Sequence, residues 1–420
     1  MGQGINYELF LDCVHCGLCT ASCPTYVELG TEMDSPRGRI YLMRGVVDGR
    51  IPLDQDVKDH LDLCLNCRAC ETACPSGVQY GKLIEPFRND LVDRKQNVER
   101  LPWWQRWVLF HIFPYASRVR WAIAPARWLQ WLKLDRAIIK ILPTRLRQMQ
   151  EMLPRLRSLP ALPEFLPAQG KKRASVALLT GCVNDAMFRQ VNWATAKVLQ
   201  FNGCDVWIPR AQSCCGALHL HAGHEKPAQQ LATSLVHQML ARSDVDYLIT
   251  NVAGCGSTMK EYAHLLEHTD SATQGVLFQK KVRDIHEFLM ELGPVKPEHP
   301  LNLRATYHDA CHLCHAQKIR QAPRDLLALI PGLKVQPLAE SEICCGAAGS
   351  YNMTQPEMAE RLGKRKVSHI IETNPQMVFT ANAGCILQIA RYLKQTLPNV
   401  PVLHPIEALW ASYSGEPLLR

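Results

Sequence analysis

No stretch of this 420-residue chain holds about 18 uninterrupted apolar residues, so no segment is expected to cross a bilayer as a helix. The opening residues, MGQGINYELFLDC, lack a basic region followed by an apolar one, which argues against a secretory signal. The Met-Gly start resembles a lipidation site, yet Asn6 stands where Ser or Thr is wanted. No G-x-G-x-x-G fingerprint follows a strand-like run, so flavin or nicotinamide binding is not expected on this chain. Acidic residues are nearly missing between positions 101 and 150, where only Asp135 faces nine Lys or Arg. Those nine are Arg106, Arg118, Arg120, Arg127, Lys133, Arg136, Lys140, Arg145 and Arg147, so the +8 net charge of the chain is local to this segment.

Cysteine, by contrast, is abundant: there are 18, with none from 101 to 168. Together with the missing export signal, so many reduced thiols favour a cytoplasmic protein over a secreted disulfide scaffold. Hydrophobic residues at 47% and charged residues at 20% are ordinary for a globular chain.

Eight cysteines form two complete C-x₂-C-x₂-C-x₃-C-P runs, Cys13-Cys16-Cys19-Cys23-Pro24 and Cys64-Cys67-Cys70-Cys74-Pro75. Three thiolates spaced by two residues wrap one face of a cubane, and the fourth, followed by proline, points to the other cluster. The pattern therefore assigns Cys13, Cys16, Cys19 and Cys74 to one [4Fe–4S] cluster, and Cys64, Cys67, Cys70 and Cys23 to a second. A zinc ribbon would use two C-x₂-C pairs instead. The forty residues between the runs read as helical, around 40–48 and 56–63, rather than as the β-linker of compact ferredoxins. Arg37 and Arg39 lie there, placed either to face cluster or partner charge or to sit in a solvated loop.

The other ten cysteines repeat themselves. Cys182 precedes Cys214–Cys215 by 32 residues and Cys255 follows by 40; Cys311 precedes Cys344–Cys345 by 33 and Cys385 follows by 40. Both pairs continue into Gly-Ala, so the region is a duplicated domain. Short apolar runs at 176–179, 206–208, 247–249 and 377–379 read as buried strands, and 192–201, 225–242 and 355–373 as helices. The fold class is thus α+β multidomain: an α-helical ferredoxin domain (1–100), a basic Trp-rich segment and proline-spaced linker (101–171), and two α/β cysteine-rich repeats (172–295 and 296–420). Cys182, Cys214, Cys215 and Cys255 are candidates for one further metal centre, and Cys311, Cys344, Cys345 and Cys385 for another. A single site shared across the repeats, or vestigial thiols packed as small apolar residues, are the alternatives. Cys204 and Cys314 have no counterparts and read as structural. His308, His312 and His315 flank Cys311 and are candidate ligands or proton donors.

Trp103, Trp104, Trp107, Trp121, Trp128 and Trp131 alternate with the arginines of the basic segment. Rings beside cations suit either a lipid headgroup surface or packing against an acidic partner, and nucleic acid is not expected in a ferredoxin setting.

The segments CVHCGLCTASCPTYVELGTEMDSPRGRIYL, CLNCRACETACPSGVQYGKLIE, CCGALHLHAG and SEICCGAAGSYNMTQPEMAERL resemble the iron–sulfur subunits of bacterial glycolate oxidases over nearly the whole chain. The resemblance implies a complex on the cytoplasmic face of the inner membrane. In it FAD-containing partner subunits oxidise glycolate to glyoxylate, with D-lactate as a further donor, and this subunit carries single electrons toward a quinone or membrane acceptor. Iron–sulfur subunits of glycerol-3-phosphate dehydrogenase, lactate utilisation and heterodisulfide reductase share the ferredoxin runs. An iron–sulfur sensor or scaffold is a further alternative. In the wider cysteine-rich family the repeat closes in C-x₂-C, whereas here Thr258 and Gln388 stand at the second position, which counts against disulfide cleavage.

Overall fold

The computed structural model describes residues 5–93, 103–134, 147 and 150–418. From 5 to 93 the described chain is helical, without strands. Helix Pro36–Val47 begins with proline at its first position, where no N–H is needed, and Ser35 Oγ accepts from the Gly38 N–H at 3.0 Å. Gly38 admits a close approach: a Cβ there would lie 2.0 Å from the Glu32 carbonyl oxygen. Asp54 caps helix Gln55–Asp62 in the same manner. Phe10, Met43, Leu61, Leu83 and Ile84 close a core with no more than trace exposure. Two helices, Trp103–Trp107 running into a π turn Val108–Ile112 and then Ala116–Trp131, follow.

The rest of the chain forms two sheets. Strands β1 (Phe165–Leu166), β2 (Ala174–Leu179), β3 (Cys204–Trp207), β4 (Tyr247–Thr250) and β5 (Val282–Asp284) order as β1-β3-β2-β4-β5. Strands β6 (Leu303–Tyr307), β7 (Leu333–Gln336), β8 (Met377–Phe379) and β9 (Val402–Leu403) order as β7-β6-β8-β9. Apart from the antiparallel β1–β3 pair, every pairing is parallel. The two orders are the same once β1 is set aside, which is the duplication expressed as topology. Parallel strands need helical crossovers and bury both faces, and β2 is accordingly buried along its full length.

The strands sit where the apolar runs place them, within two or three residues. The helix read at 225–242 ends earlier, at Met239, and the one read at 355–373 runs Pro356–Glu372. The proline-spaced stretch read as a linker is more than that. It contributes the edge strand β1, and its carbonyls accept hydrogen bonds from helix Arg189–Phe201: Arg189 to Leu159 O, Trp193 to Pro160 O and Gln200 to Pro167 O. Proline spacing speaks against helix but leaves edge pairing open.

The repeats pack about a pseudo-twofold. Helix Arg189–Phe201 lies on Pro405–Ser414, and Ile285–Leu292 lies on Ala322–Ala328. One apolar core runs through both, from Val176 and Ile249 to Ala305 and Phe379. The ferredoxin domain seats on the carboxyl edges of both sheets. Tyr351 donates to the Leu63 carbonyl at 2.8 Å, Asn89 to Glu225 at 2.7 Å, and Arg68 pairs with Glu261.

Candidate metal centres

The last cysteine of each N-terminal run lies near cysteines of the other run. Burial raises the thiols of Cys13, Cys67, Cys70 and Cys19, and the neighbouring charge adds to it: Cys74 acts on Cys13, and Cys23 on Cys67 and Cys70 as well as on Cys19 of its own run. The backbone explains why: Cys23 is extended and immediately precedes helix Pro24–Leu29, while Cys74 follows the end of helix Ala69–Ala73. The second cysteine of that pair therefore closes a helix rather than opening one.

The inner group is buried and surrounded by donors. Cys64 Sγ accepts from the Asn66 N–H at 3.4 Å and from Tyr80 OH at 3.5 Å. Arg39, 1% exposed, stands over Cys23 Sγ at 3.9 Å while bonded to the His60 carbonyl, Thr25 and Asp34. Burial pushes the Cys64 thiol up, but the cations of Arg39 and Arg88 outweigh it and hold it below the ordinary thiol value. Arg39 is thus no solvated-loop residue. Arg37 is half-exposed, bonded to Glu32 and to the His15 carbonyl. Cys67 and Cys70 are pushed well up by burial.

Each repeat gathers its own four cysteines at the carboxyl edge of its sheet, where helices begin. Cys182 and Cys214 sulfurs are 3.5 Å apart, and Cys311 and Cys344 sulfurs 3.9 Å. In both repeats the first member of the pair is held well below the usual thiol range by hydrogen bonding from its neighbours. For Cys214 these are Cys182 and then Cys215; for Cys344 they are Cys311 and then Cys345. Cys385 is drawn down to about 5, chiefly by hydrogen bonding from Cys345. The single shared site is therefore not what the geometry builds: there are two groups of four. None of the 18 cysteines is in a disulfide. Clustered soft thiols with N–H and O–H donors aimed at them fit thiolate-ligated iron–sulfur centres. Cys204 and Cys314 stand apart as buried structural residues.

The three histidines around Cys311 divide. His312 Nε2 meets the Asn66 carbonyl at 3.0 Å, and His315 bonds Thr72 and the Glu342 carbonyl, so both serve the ferredoxin contact. His308 instead faces Cys345 and Cys385, with potential ligand atoms all within 4.8 Å. Cys67 and Cys344 share one buried cluster with Leu65, Tyr351 and Leu362, which brings the inner ferredoxin group against the second repeat.

A cavity of about 1930 Å³ opens beside these centres. Cys64, Cys182, Cys214, Cys255, Cys311 and Cys385 line its inner wall, and Phe110, Val119, Ile123 and Leu129 of the Trp-rich segment line its outer wall. Phe110 packs edge-on against His219 and His224 at 4.9 and 4.8 Å, and Arg120 pairs with Asp185. Trp107 and Trp121 stand at the rim of the cavity, and with Trp103, Trp128 and Trp131 they are 52–81% exposed. Arg136, Lys140 and Arg145 lie outside the described residues.

Comparison with known proteins places these parts. Residues 10–78 match the 4Fe-4S dicluster domain, 176–260 and 305–390 the cysteine-rich domain, and 101–153 the linker region of the glycolate oxidase iron-sulfur subunit. The chain is 39% identical to the "Probable glycolate oxidase iron-sulfur subunit" of Bacillus subtilis (strain 168), over 90% of its own length and 88% of that protein's. It is 33% identical to the glycolate oxidase iron-sulfur subunit of Escherichia coli (strain K12), over 90% and 89%. The chain belongs to the family of glycolate oxidase iron–sulfur subunits. As a member of that family it carries iron–sulfur-binding domains, and the Trp-rich helices are the family's linker region. Its fold is also seen in a hypothetical protein from Helicobacter pylori, with TM-score 0.54, 9% identity, and 99% of this chain and 74% of that one covered. No helix among the described residues is long and apolar enough to cross a membrane.

Sequence reasoning missed the burial of Arg39 and Lys366 and the roles of Asn66 and Tyr80. Arg39, Tyr80 and Lys366 lie far from their sulfur neighbours in the sequence, and the pattern leaves Arg39 open between cluster charge and a solvated loop. Asn66 stands between Cys64 and Cys67 and alone carries a local signal.

Proposed function

We propose that this protein is the electron-carrying subunit of a glycolate oxidase complex, receiving electrons from FAD-containing partner subunits that oxidise glycolate to glyoxylate. D-lactate is a further donor in this reading, and the respiratory quinone pool at the cytoplasmic face of the membrane is the destination. In this reading Cys13, Cys16, Cys19 and Cys74 hold one [4Fe–4S] cluster and Cys64, Cys67, Cys70 and Cys23 the other. Such clusters supply one-electron transfer when bound.

The observation that carries the proposal is the contiguity of thiol groups, from the outer ferredoxin set through the inner one to Cys311 and Cys344. Each part of the chain has a task along it. Cys16 is exposed, and Leu11, Val14, Leu18, Met33 and Tyr41 around it are 48–67% exposed, a face suited to a flavoprotein partner. Arg39, Tyr80 and Asn66 stabilise anionic sulfur in the buried set. At the far end, the cavity between the cysteines and the Trp-rich helices suits a flat apolar acceptor arriving from lipid.

The test is an anaerobic pull-down from the native host, followed by titration with glycolate, D-lactate and glycerol 3-phosphate. Bleaching of the iron–sulfur absorbance by glycolate, with a flavoprotein in the pull-down, is the expected result. Bleaching by glycerol 3-phosphate alone would move the substrate. Absence of bleaching and of a flavoprotein would overturn the proposal.

A second reading, thiol–disulfide chemistry, is favoured by one observation: cysteines of both repeats line the same cavity. Thr258 and Gln388 in place of the closing cysteines weigh against it.

A further inference from the structure

The two cysteine groups look equivalent by spacing, but their surroundings differ in chemistry. Position 308 is the first residue after β6, and its counterpart in the first repeat is Leu179, the last residue of β2, at the same offset as Cys311 from Cys182. His308 N donates to the Phe379 carbonyl at 2.9 Å, which fixes the residue beside β8 and hence beside Cys385 on the helix Ala383–Leu393 that follows β8. The side chain is 0% exposed. Neither Nδ1 nor Nε2 has a nitrogen or oxygen partner; the ring is within hydrogen-bonding reach of the Cys385 sulfur, and a ring nitrogen and the sulfurs of Cys345 and Cys385 lie mutually within 4.8 Å. An imidazole is rarely left dry and unpaired in a protein interior. Here the groups it faces are soft metal donors.

The second repeat also buries a cation. Lys366, 2% exposed, donates to the Glu340 carbonyl; burial disfavours its charge and holds it below the ordinary lysine value, which the nearby Cys345 and Cys344 only partly offset. Its counterpart in the first repeat is Val236. The fifth thiolate of the wider cysteine-rich family is missing from both repeats; in the first, buried His219 lies near Cys214 alone, whereas His308 of the second comes within 4.8 Å of two sulfurs.

We infer that His308 is a metal ligand, so that the second repeat holds an iron–sulfur centre with four thiolates and one imidazole. The inference rests on the reading that the repeats carry iron–sulfur centres at all. A neutral imidazole adds no negative charge to the four thiolates, whereas a fifth thiolate in its place would make the centre more negative and harder to reduce. That centre lies directly beside the inner ferredoxin group, through the Cys67–Cys344 contact.

The experiment is hyperfine spectroscopy of anaerobically purified, reduced full-length protein grown with ¹⁵N-histidine, alongside iron and sulfide analysis. The expected result is a nitrogen coupling of the size of a directly bound imidazole that changes with ¹⁵N and is lost in His308→Leu, the side chain that the first repeat has there. His308→Cys should retain the iron, lose the coupling and show a lower midpoint potential at one centre. No such coupling in the wild type, or its survival in either variant, overturns the assignment; because His308→Cys restores a donor, the test holds even if His308→Leu fails to accumulate. Iron at or below about eight atoms per chain, the content of two cubanes, overturns the separate reading that the repeats hold iron, and is read independently of the coupling.

Discussion

Arg39 joins more of the N-terminal domain than any other side chain there. Its guanidinium holds the His60 carbonyl at 2.7 Å, Thr25 at 3.1 Å and Asp34 at 3.4 Å, over the sulfur of Cys23. Arg39→Met leaves the buried Asp34 carboxylate without its cation, at a cost of about 3–5 kcal/mol. Anaerobic denaturant unfolding and iron analysis of the variant should show lower stability and partial loss of iron; an unchanged midpoint with full iron would contradict the role given to this residue. Nothing about the run Ser-Pro-Arg-Gly-Arg distinguishes Arg39 from Arg37, because burial is set by which face of helix Pro36–Val47 meets Leu61 and Tyr80. Glu407 makes a second case. It completes the capping box of helix Pro405–Ser414 with His404, and burial raises its carboxyl to about 7. The folded value lies above the unfolded one, so its contribution is full below about pH 4 and is lost as pH rises through about 7, roughly 3 kcal/mol in all. Raising the pH from about 5.5 to about 8 should therefore lower Tm less in Glu407→Gln, which keeps the cap, than in wild type. Equal pH slopes for the two proteins in a calorimetric scan would rule this out.

At the scale of elements, the Trp-rich helices are the part whose purpose the chain's own packing does not explain. Leu109 and Val119 are buried and help close the cavity, while five exposed tryptophans, two of them at its rim, stand among arginines. Replacing Trp103, Trp107 and Trp121 by Ser removes apolar area that the fold does not bury. Tm should stay within about a degree or two of wild type, since surface changes rarely exceed about 0.5 kcal/mol. Partition onto anionic lipid vesicles should fall at least about tenfold. Unchanged vesicle binding in a co-sedimentation assay would assign the aromatic face to a protein partner instead. Strands were the most legible elements, since short apolar runs between turn residues have few other solutions. The edge strand β1 was hidden because two residues of pairing leave no periodicity to read.

For the whole molecule, the decisive feature is that the ferredoxin domain and the second repeat share a buried contact at Cys67 and Cys344. Cys67→Ser should lose about four iron atoms and stop electron flow from the donor complex to a soluble dye, while Cys344→Ser should leave both ferredoxin clusters in place and stop flow only to the terminal acceptor. Cys67→Ser protein with wild-type iron content and activity would refute the ligand assignment.

The sequence by itself determined the two cubane runs, the duplication and the α/β character of the repeats, because each depends on spacing along the chain, which covalent connectivity preserves. Tertiary structure alone decided that each repeat keeps its own four thiols, that His308 rather than His312 or His315 faces them, and that a buried arginine stands over the inner ferredoxin sulfurs. Those outcomes depend on which faces of helices and which sheet edges meet. Such meetings join residues far apart in sequence, such as Leu63 and Tyr351, and no local pattern encodes them.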